Sequence, residues 1–244
     1  MNCRVVLLRP QFAANIGAAA RVMRNMGLSE LVLVAPEASP TDPDARRLST
    51  HGEQVLEQCR TVADFNAAVA DCVLVAATSA RVGGLTRRQF VGTPDEIAPR
   101  LIESMTNGPV ALVFGPEASG LSNAEVSRCH YLIHVPTDPH YPVLNLAQAV
   151  AICTYELRRH WLRQSDTATL LPPVEVPALF ADQERAFEHL RQALEDVHFL
   201  WNEKADSLMH ALRHLLGRAS PTPTELDILH GLARQLCWFA QHRK

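Results

Sequence analysis

Lysine is scarce in this chain. Only Lys204 and Lys244 contribute lysine to the 23 basic residues, and the rest are arginine. Arginine suits bidentate phosphate contacts, but a coding bias toward arginine gives the same count. The net charge is −3, and neither half of the sequence is basic. Composition therefore offers no argument for a nucleic-acid partner, and any such footprint must be local. None of the six cysteines stands in a C-x-x-C pair, so the expectation is free thiols in a reducing compartment. No signal-type apolar segment and no run of ~18 apolar residues is present, which points to the cytoplasm and away from membranes. The glycine fingerprints of dinucleotide and nucleotide-phosphate sites are missing, as are H-E-x-x-H and G-x-S-x-G. His210 and His214 have metal-ligand spacing without a third ligand, so a solvated helix face is expected and no metal.

What is present reads as a globular α/β protein, with 47% hydrophobic residues. Five short apolar runs, at 4–8, 31–35, 73–77, 110–114 and 131–135, lack alternation and fit fully buried strands. Helical patterns lie between them. One covers 15–26 and stops at Gly27. Others cover 44–58 and 62–70, and a fourth follows Thr93-Pro94. The alternation predicts a mostly parallel sheet with helices on both faces. A helix over 145–163 is apolar nearly all round in its first three turns, which predicts burial on every side. Residues 164–177 are polar and proline-rich, a linker by composition. Three amphipathic patterns follow, at 178–200, 203–217 and 222–242, the last opened by the capping box Thr222-Pro223-Thr224-Glu225. The expected division is a core over 1–163, a linker, and a helical extension over 178–244.

Three segments each follow a predicted strand, where open α/β sheets bind ligands. The first carries Asn15, Gly17 and Arg21, with Gly17 and its alanines small enough to admit another backbone. In the second, Gly115 and Gly120 bracket a tight loop around Glu117, and Ser122 to Glu125 opens a short helix. The third is a loop with three prolines before Asn145, which sits where a helix N-cap belongs. Taken singly, each is equally a turn, a cap or a surface side chain. Arg87-Arg88 and Arg158-Arg159 could grip phosphates, though paired arginines are commonly just solvated.

In order, the three segments spell N-x-G-x-x-x-R, F-G-x-E-x-x-G-L and L-N-L-A-x-A-V. That ordered set resembles the TrmH-like branch of the SPOUT methyltransferase superfamily. The T-S-A-R at 78–81 and the helical tail narrow the resemblance to the TrmJ subfamily. It implies a trefoil knot, a homodimer, and S-adenosylmethionine as co-substrate. It implies methylation of a ribose 2′-hydroxyl of tRNA at nucleotide 32, C or U, of the anticodon loop. By the same resemblance, Asn15, Arg21, Glu117 and Asn145 fall at catalytic-region positions, with Arg21 nearest the ribose hydroxyl. Cofactor contacts would come from Thr78 and Ser79, from Gly115 and Gly120, and from Ile133, Pro136 and Leu144. Two positions depart from the pattern. Val143 stands where a serine is usual, and Pro116 where the subfamily often has arginine. Another RNA target, such as ribosomal RNA, and a non-catalytic RNA-binding relative are the alternatives.

Overall fold

The structure is a computed structural model that describes residues 1–80, 90–165 and 176–242. Seven strands form one sheet in the order β3-β2-β1-β6-β4-β7-β5. They are β1 (Cys3–Leu8), β2 (Glu30–Val34), β3 (Arg60–Val62), β4 (Leu74–Thr78), β5 (Phe90–Gly92), β6 (Val110–Phe114) and β7 (Tyr131–Ile133). Every pairing is parallel. Successive side chains of a strand point to opposite faces. Val5 and Leu7 accordingly enter one core, and Val6 and Leu8 the other. Both faces are dry, which is why the predicted strands are apolar without alternation.

The first core lies beneath α1 (Ala13–Asn25), α2 (Pro43–Ser49), α3 (Glu53–Glu57), α5 (Pro94–Ser104) and α7 (Leu146–Ser165). The pattern at 44–58 resolves into α2 and α3, joined by a 3-10 turn over Thr50–Gly52, with Thr50 at φ +46°. A β-branched residue in the left-handed region marks a sharp bend that periodicity does not register. The pattern at 62–70 shrinks to α4 (Phe65–Val69), capped by Asp64, because β3 takes the residues before it. Helix α7 departs from the expected all-round burial. Val150, Cys153 and Leu157 are buried, but Tyr155 and Leu162 are half exposed.

The second core lies beneath α4 and α6 (Asn123–Val126), and also receives Phe180 from the C-terminal extension. The extension comprises α8 (Phe180–Asp196), α9 (Ala205–Gly217) and α10 (Pro223–Gln241). Phe180 meets Phe65 edge-on at 6.0 Å, and its N–H donates to Cys72 O at 2.9 Å. The imidazole of His130, buried behind β7, accepts from Val75 N–H at Nδ1 (3.0 Å) and lies 2.9 Å from Gln183 of α8 at Nε2. Glu184, one residue on, sits between Arg128 of the core and Arg213 of α9. The extension thus covers sheet surface. Most of the expected linker lies outside the described residues.

Candidate active site

All strands point the same way, so the loops after β1, β4, β6 and β7 emerge at one edge of the sheet. A chain of three side chains ties these loops together. Glu117 accepts from Asn15 Nδ2 at Oε1 (2.8 Å) and from Gln11 N–H at Oε2 (3.0 Å). Asn145 Nδ2 donates to Asn15 Oδ1 at 2.9 Å. Asn145 also starts α7. Its Oδ1 accepts from Ala147 N–H (2.9 Å), and its own N–H donates to Gln148 Oε1 (3.1 Å). The N-cap reading and the site reading of Asn145 therefore hold together. With both oxygens engaged, Glu117 acts as a strut between two loops.

Beside this chain opens a cleft that encloses ≈ 930 Å³, including its mouth. Thr78, Ser79, Gly115, Gly120, Ile133 and Leu144 lie on its wall, as do Glu117, Pro116 and Val143. Pro136, Asn15, Arg21 and Asn145 lie outside that wall. Gly115 has no room for a side chain, since a Cβ there would stand 2.4 Å from Leu121 N. Gly120 adopts φ +66°, and its N–H returns to Pro116 O at 2.8 Å. The loop is consequently a closed turn whose backbone lines the cleft. Among the described residues the wall holds one carboxylate, Glu117, and no lysine, arginine or histidine. The described part of this surface suits a cationic or neutral ligand and offers a phosphate no cationic side chain.

Residues 2–155 match the SpoU rRNA Methylase family, and residues 181–244 match the C-terminal domain of the tRNA methyltransferase TrmJ. The chain belongs to the SpoU rRNA methylase family. Over 237 residues it is 40% identical to the tRNA (cytidine/uridine/adenosine-2′-O-)-methyltransferase TrmJ of Pseudomonas aeruginosa, covering 94% of this chain and 91% of that one. The crystal structure of TrmJ from Z. mobilis superposes with a TM-score of 0.81 at 33% identity, covering 96% of this chain and 98% of that one. The SpoU methyltransferase AviRb from Streptomyces viridochromogenes, solved with AdoMet, shares the fold at a TM-score of 0.51 and 22% identity. That match covers 65% of this chain and 60% of AviRb.

In this SpoU methylase Arg21 is exposed on α1, with no hydrogen bond or ion pair among the described residues. The helix beneath it is fixed by glycine contacts. A Cβ on Gly17 would stand 2.0 Å from Ala45 O, and one on Gly52 2.8 Å from Arg21 Cα. Sequence reasoning anticipated the close approach at Gly17. It missed Arg9, which adopts φ +45° and pairs with Glu125 at 2.7 Å. Glu125 also caps α6 through Ser122 N–H at 2.7 Å. Only the S-x-x-E pattern of that cap was legible, and nothing local marks Arg9 as its partner. Arg87-Arg88 lies outside the described residues, and Arg159 pairs with Glu156 at 2.6 Å. His210 and His214 are buried with their rings 4.4 Å apart, which corrects the solvated face expected for them. No helix among the described residues is long and apolar enough to cross a membrane.

Proposed function

We propose that the chain transfers a methyl group from S-adenosylmethionine to the ribose 2′-hydroxyl of tRNA nucleotide 32, C or U. One observation carries this reading: Asn15, Glu117 and Asn145 join three motif loops beside a cleft whose described wall holds no cation. The cleft fits the co-substrate. Ile133 and Leu144 offer apolar surface, the turned backbone at 115–120 offers peptide groups, and Glu117 is the one carboxylate on the described wall. When bound, S-adenosylmethionine supplies an electrophilic methyl group. The ribose oxygen gains it, the hydroxyl proton passes to solvent, and S-adenosylhomocysteine leaves.

The protein's part is alignment and charge stabilisation. Arg21 is assigned to hold the ribose and its phosphate and to steady negative charge on the oxygen. Its role is not that of a base, because an unperturbed guanidinium stays protonated below pH ~12. No metal enters this scheme.

The proposal includes a homodimer in which α1 and the half-exposed Tyr155–Leu162 stripe of α7 meet the partner, so that Arg21 reaches the partner's cleft. A trefoil knot belongs to it as well, supported by β4 lying between β6 and β7 and by α7 packing back on α1 and α5. Residues 178–244 are assigned to tRNA affinity. Val143 and Pro116 on the cleft wall keep ribosomal RNA as the second reading.

The test is mass mapping of ribose methylation after incubating the chain and S-adenosylmethionine with unmodified tRNA and ribosomal RNA. Methylation at position 32 alone is expected. Methylation of ribosomal RNA alone would replace the tRNA reading with the second one. No transfer to either, with intact cofactor binding, would favour a non-catalytic binder.

A further inference from the structure

Aromatic residues make up 6% of the sequence, yet two of them stand exposed beside the three-loop junction. Tyr141 is 82% exposed and Phe12 58%. Tyr141 immediately precedes Pro142 and Val143 on the cleft wall. Phe12 follows Gln11, whose N–H binds Glu117. The two loops are joined by the bond between Asn145 and Asn15.

Neither ring is on a floppy tether. Tyr141 closes a β-turn through its N–H to Asp138 O at 3.0 Å. Asp138 begins that turn, with Pro139 next, and its carboxylate accepts from His140 N–H at 2.8 Å. Aspartate then proline is the arrangement that stiffens such a turn. Thr137 Oγ1 donates to Pro142 O at 3.1 Å across its base. The carbonyl of Phe12 accepts the first helical N–H groups of α1, including Asn15 N–H at 3.0 Å. An exposed apolar ring on a braced backbone loses little freedom when a flat partner covers it. Neither side chain contributes to the two sheet cores.

We infer that Tyr141 and Phe12 form a base-stacking subsite at the mouth of the cleft, taking unstacked nucleobases that flank the modified ribose. The inference rests on the proposed RNA ribose methylation. Single-stranded loops are bound chiefly by laying bases on aromatic faces, and stacking tolerates any base. That mode suits a protein with net negative charge and a cleft whose described wall holds no cation. It makes these rings substrate-positioning residues, separate from the groups that hold the cofactor.

The test uses the full chain and whichever RNA the wild type methylates. That choice keeps the two failures apart: a wild type that methylates no RNA sinks the underlying reading before any variant is compared, whereas variants that match a methylating wild type sink the subsite alone. The RNA carries 2-aminopurine beside the modified nucleotide, and fluorescence is read with S-adenosylhomocysteine present. Wild type and Tyr141→Phe should quench it, and Tyr141→Ala should not. KM for RNA should rise about tenfold or more in Tyr141→Ala and in Phe12→Ala, the loss of roughly one stacked base. Turnover at saturating RNA and cofactor affinity should stay within about threefold. Unchanged KM and quenching in both alanine variants would overturn the subsite. So would a loss in Tyr141→Phe equal to that in Tyr141→Ala, which would assign the effect to the hydroxyl. Dissociation of the assembly in light scattering would also overturn it, by making the rings a protein contact.

Discussion

Asn145 and Asn15 are 130 positions apart and share a 2.9 Å hydrogen bond. Asn15 passes the connection to Glu117, whose other oxygen is taken by Gln11 N–H. Each amide both donates and accepts, so the chain has a direction, and each Glu117 oxygen already accepts one hydrogen bond from a neighbouring loop. A strut and a general base predict different kinetics for Glu117→Gln. The amide presents an N–H group to one of the two donors, leaving a polar group unpaired at a cost of about 1–3 kcal/mol. Cofactor affinity measured by calorimetry should therefore fall roughly tenfold. The single-turnover rate at saturating cofactor should change by less than about fivefold. A loss of a thousandfold in that rate would mean that Glu117 takes part in the proton transfer.

The glycines separate two causes of intolerance. Gly17→Ala should lower the melting temperature more than Gly120→Ala. At Gly17 the new Cβ stands 2.0 Å from the Ala45 carbonyl, so α1 and α2 must part. Overpacking of this kind costs about 1–3 kcal/mol or more, against about 1 kcal/mol gained from alanine's helix propensity. At Gly120 there is open space, and the cost is the left-handed φ of +66°, about 1–2 kcal/mol. Thermal unfolding of both variants decides it. Equal shifts would mean that the α1–α2 contact relaxes freely.

Acid should loosen the docked extension. Burial holds His130 below its ordinary pKa of 6.5. Burial, and then the neighbours His210, Arg218, His130 and Arg213, push His214 down to about 4. A folded pKa below the unfolded one means the unfolded chain binds protons first. The stabilisation is full above pH 6.5 and is lost as pH falls from there toward 4. Denaturant melts followed by the fluorescence of Trp201 and Trp238 should show declining midpoints over that window. His214→Gln should flatten the decline. A midpoint independent of pH between 7.5 and 4.5 would contradict the burial of these rings.

Much of this fold was legible because its central strands are dry on both faces. Runs such as Val110–Phe114 are apolar without interruption. The caps were legible too, since Thr222 and Glu225 meet as their spacing requires. The strands β3 and β5 were missed because each has three residues at a sheet edge, where Arg60 and Thr61 face solvent. The burial of His210 and His214 was missed because a helix face is read as polar from its side chains, whereas the core surface that covers it lies elsewhere in the chain. At the site, the motif residues were legible as a set only through family resemblance. Local pattern gave Asn145 as a cap, and nothing in it could announce the bond to Asn15. The ion pair of Arg9 with Glu125 spans 116 positions and carries no periodic signal.

Arg21→Ala should abolish methyl transfer while leaving cofactor affinity within a few-fold. Arg21 lies outside the cleft wall, so ground-state binding of the cofactor by its own chain does not call on it. It is exposed, and no partner holds it among the described residues. Close contacts at Gly17 and Gly52 hold its backbone in place, and its guanidinium makes no ion pair among the described residues. An interaction made mainly in the transition state lowers turnover and spares ground-state affinity. Removing one such stabiliser costs about 2.7–4 kcal/mol, or roughly a hundred- to a thousandfold in rate. Arg21→Lys should rescue poorly, because an ammonium cannot bridge ribose and phosphate with a planar fork. As an ordinary surface residue, Arg21 could be replaced by alanine at a cost within about 0.5 kcal/mol of stability and nothing in rate. Single-turnover methylation of tRNA by both variants separates these outcomes, with light scattering to confirm the assembly is unchanged. Near-wild-type rates in both would remove Arg21 from the reaction. They would also leave the first motif with a structural role alone, through Asn15 and Gly17.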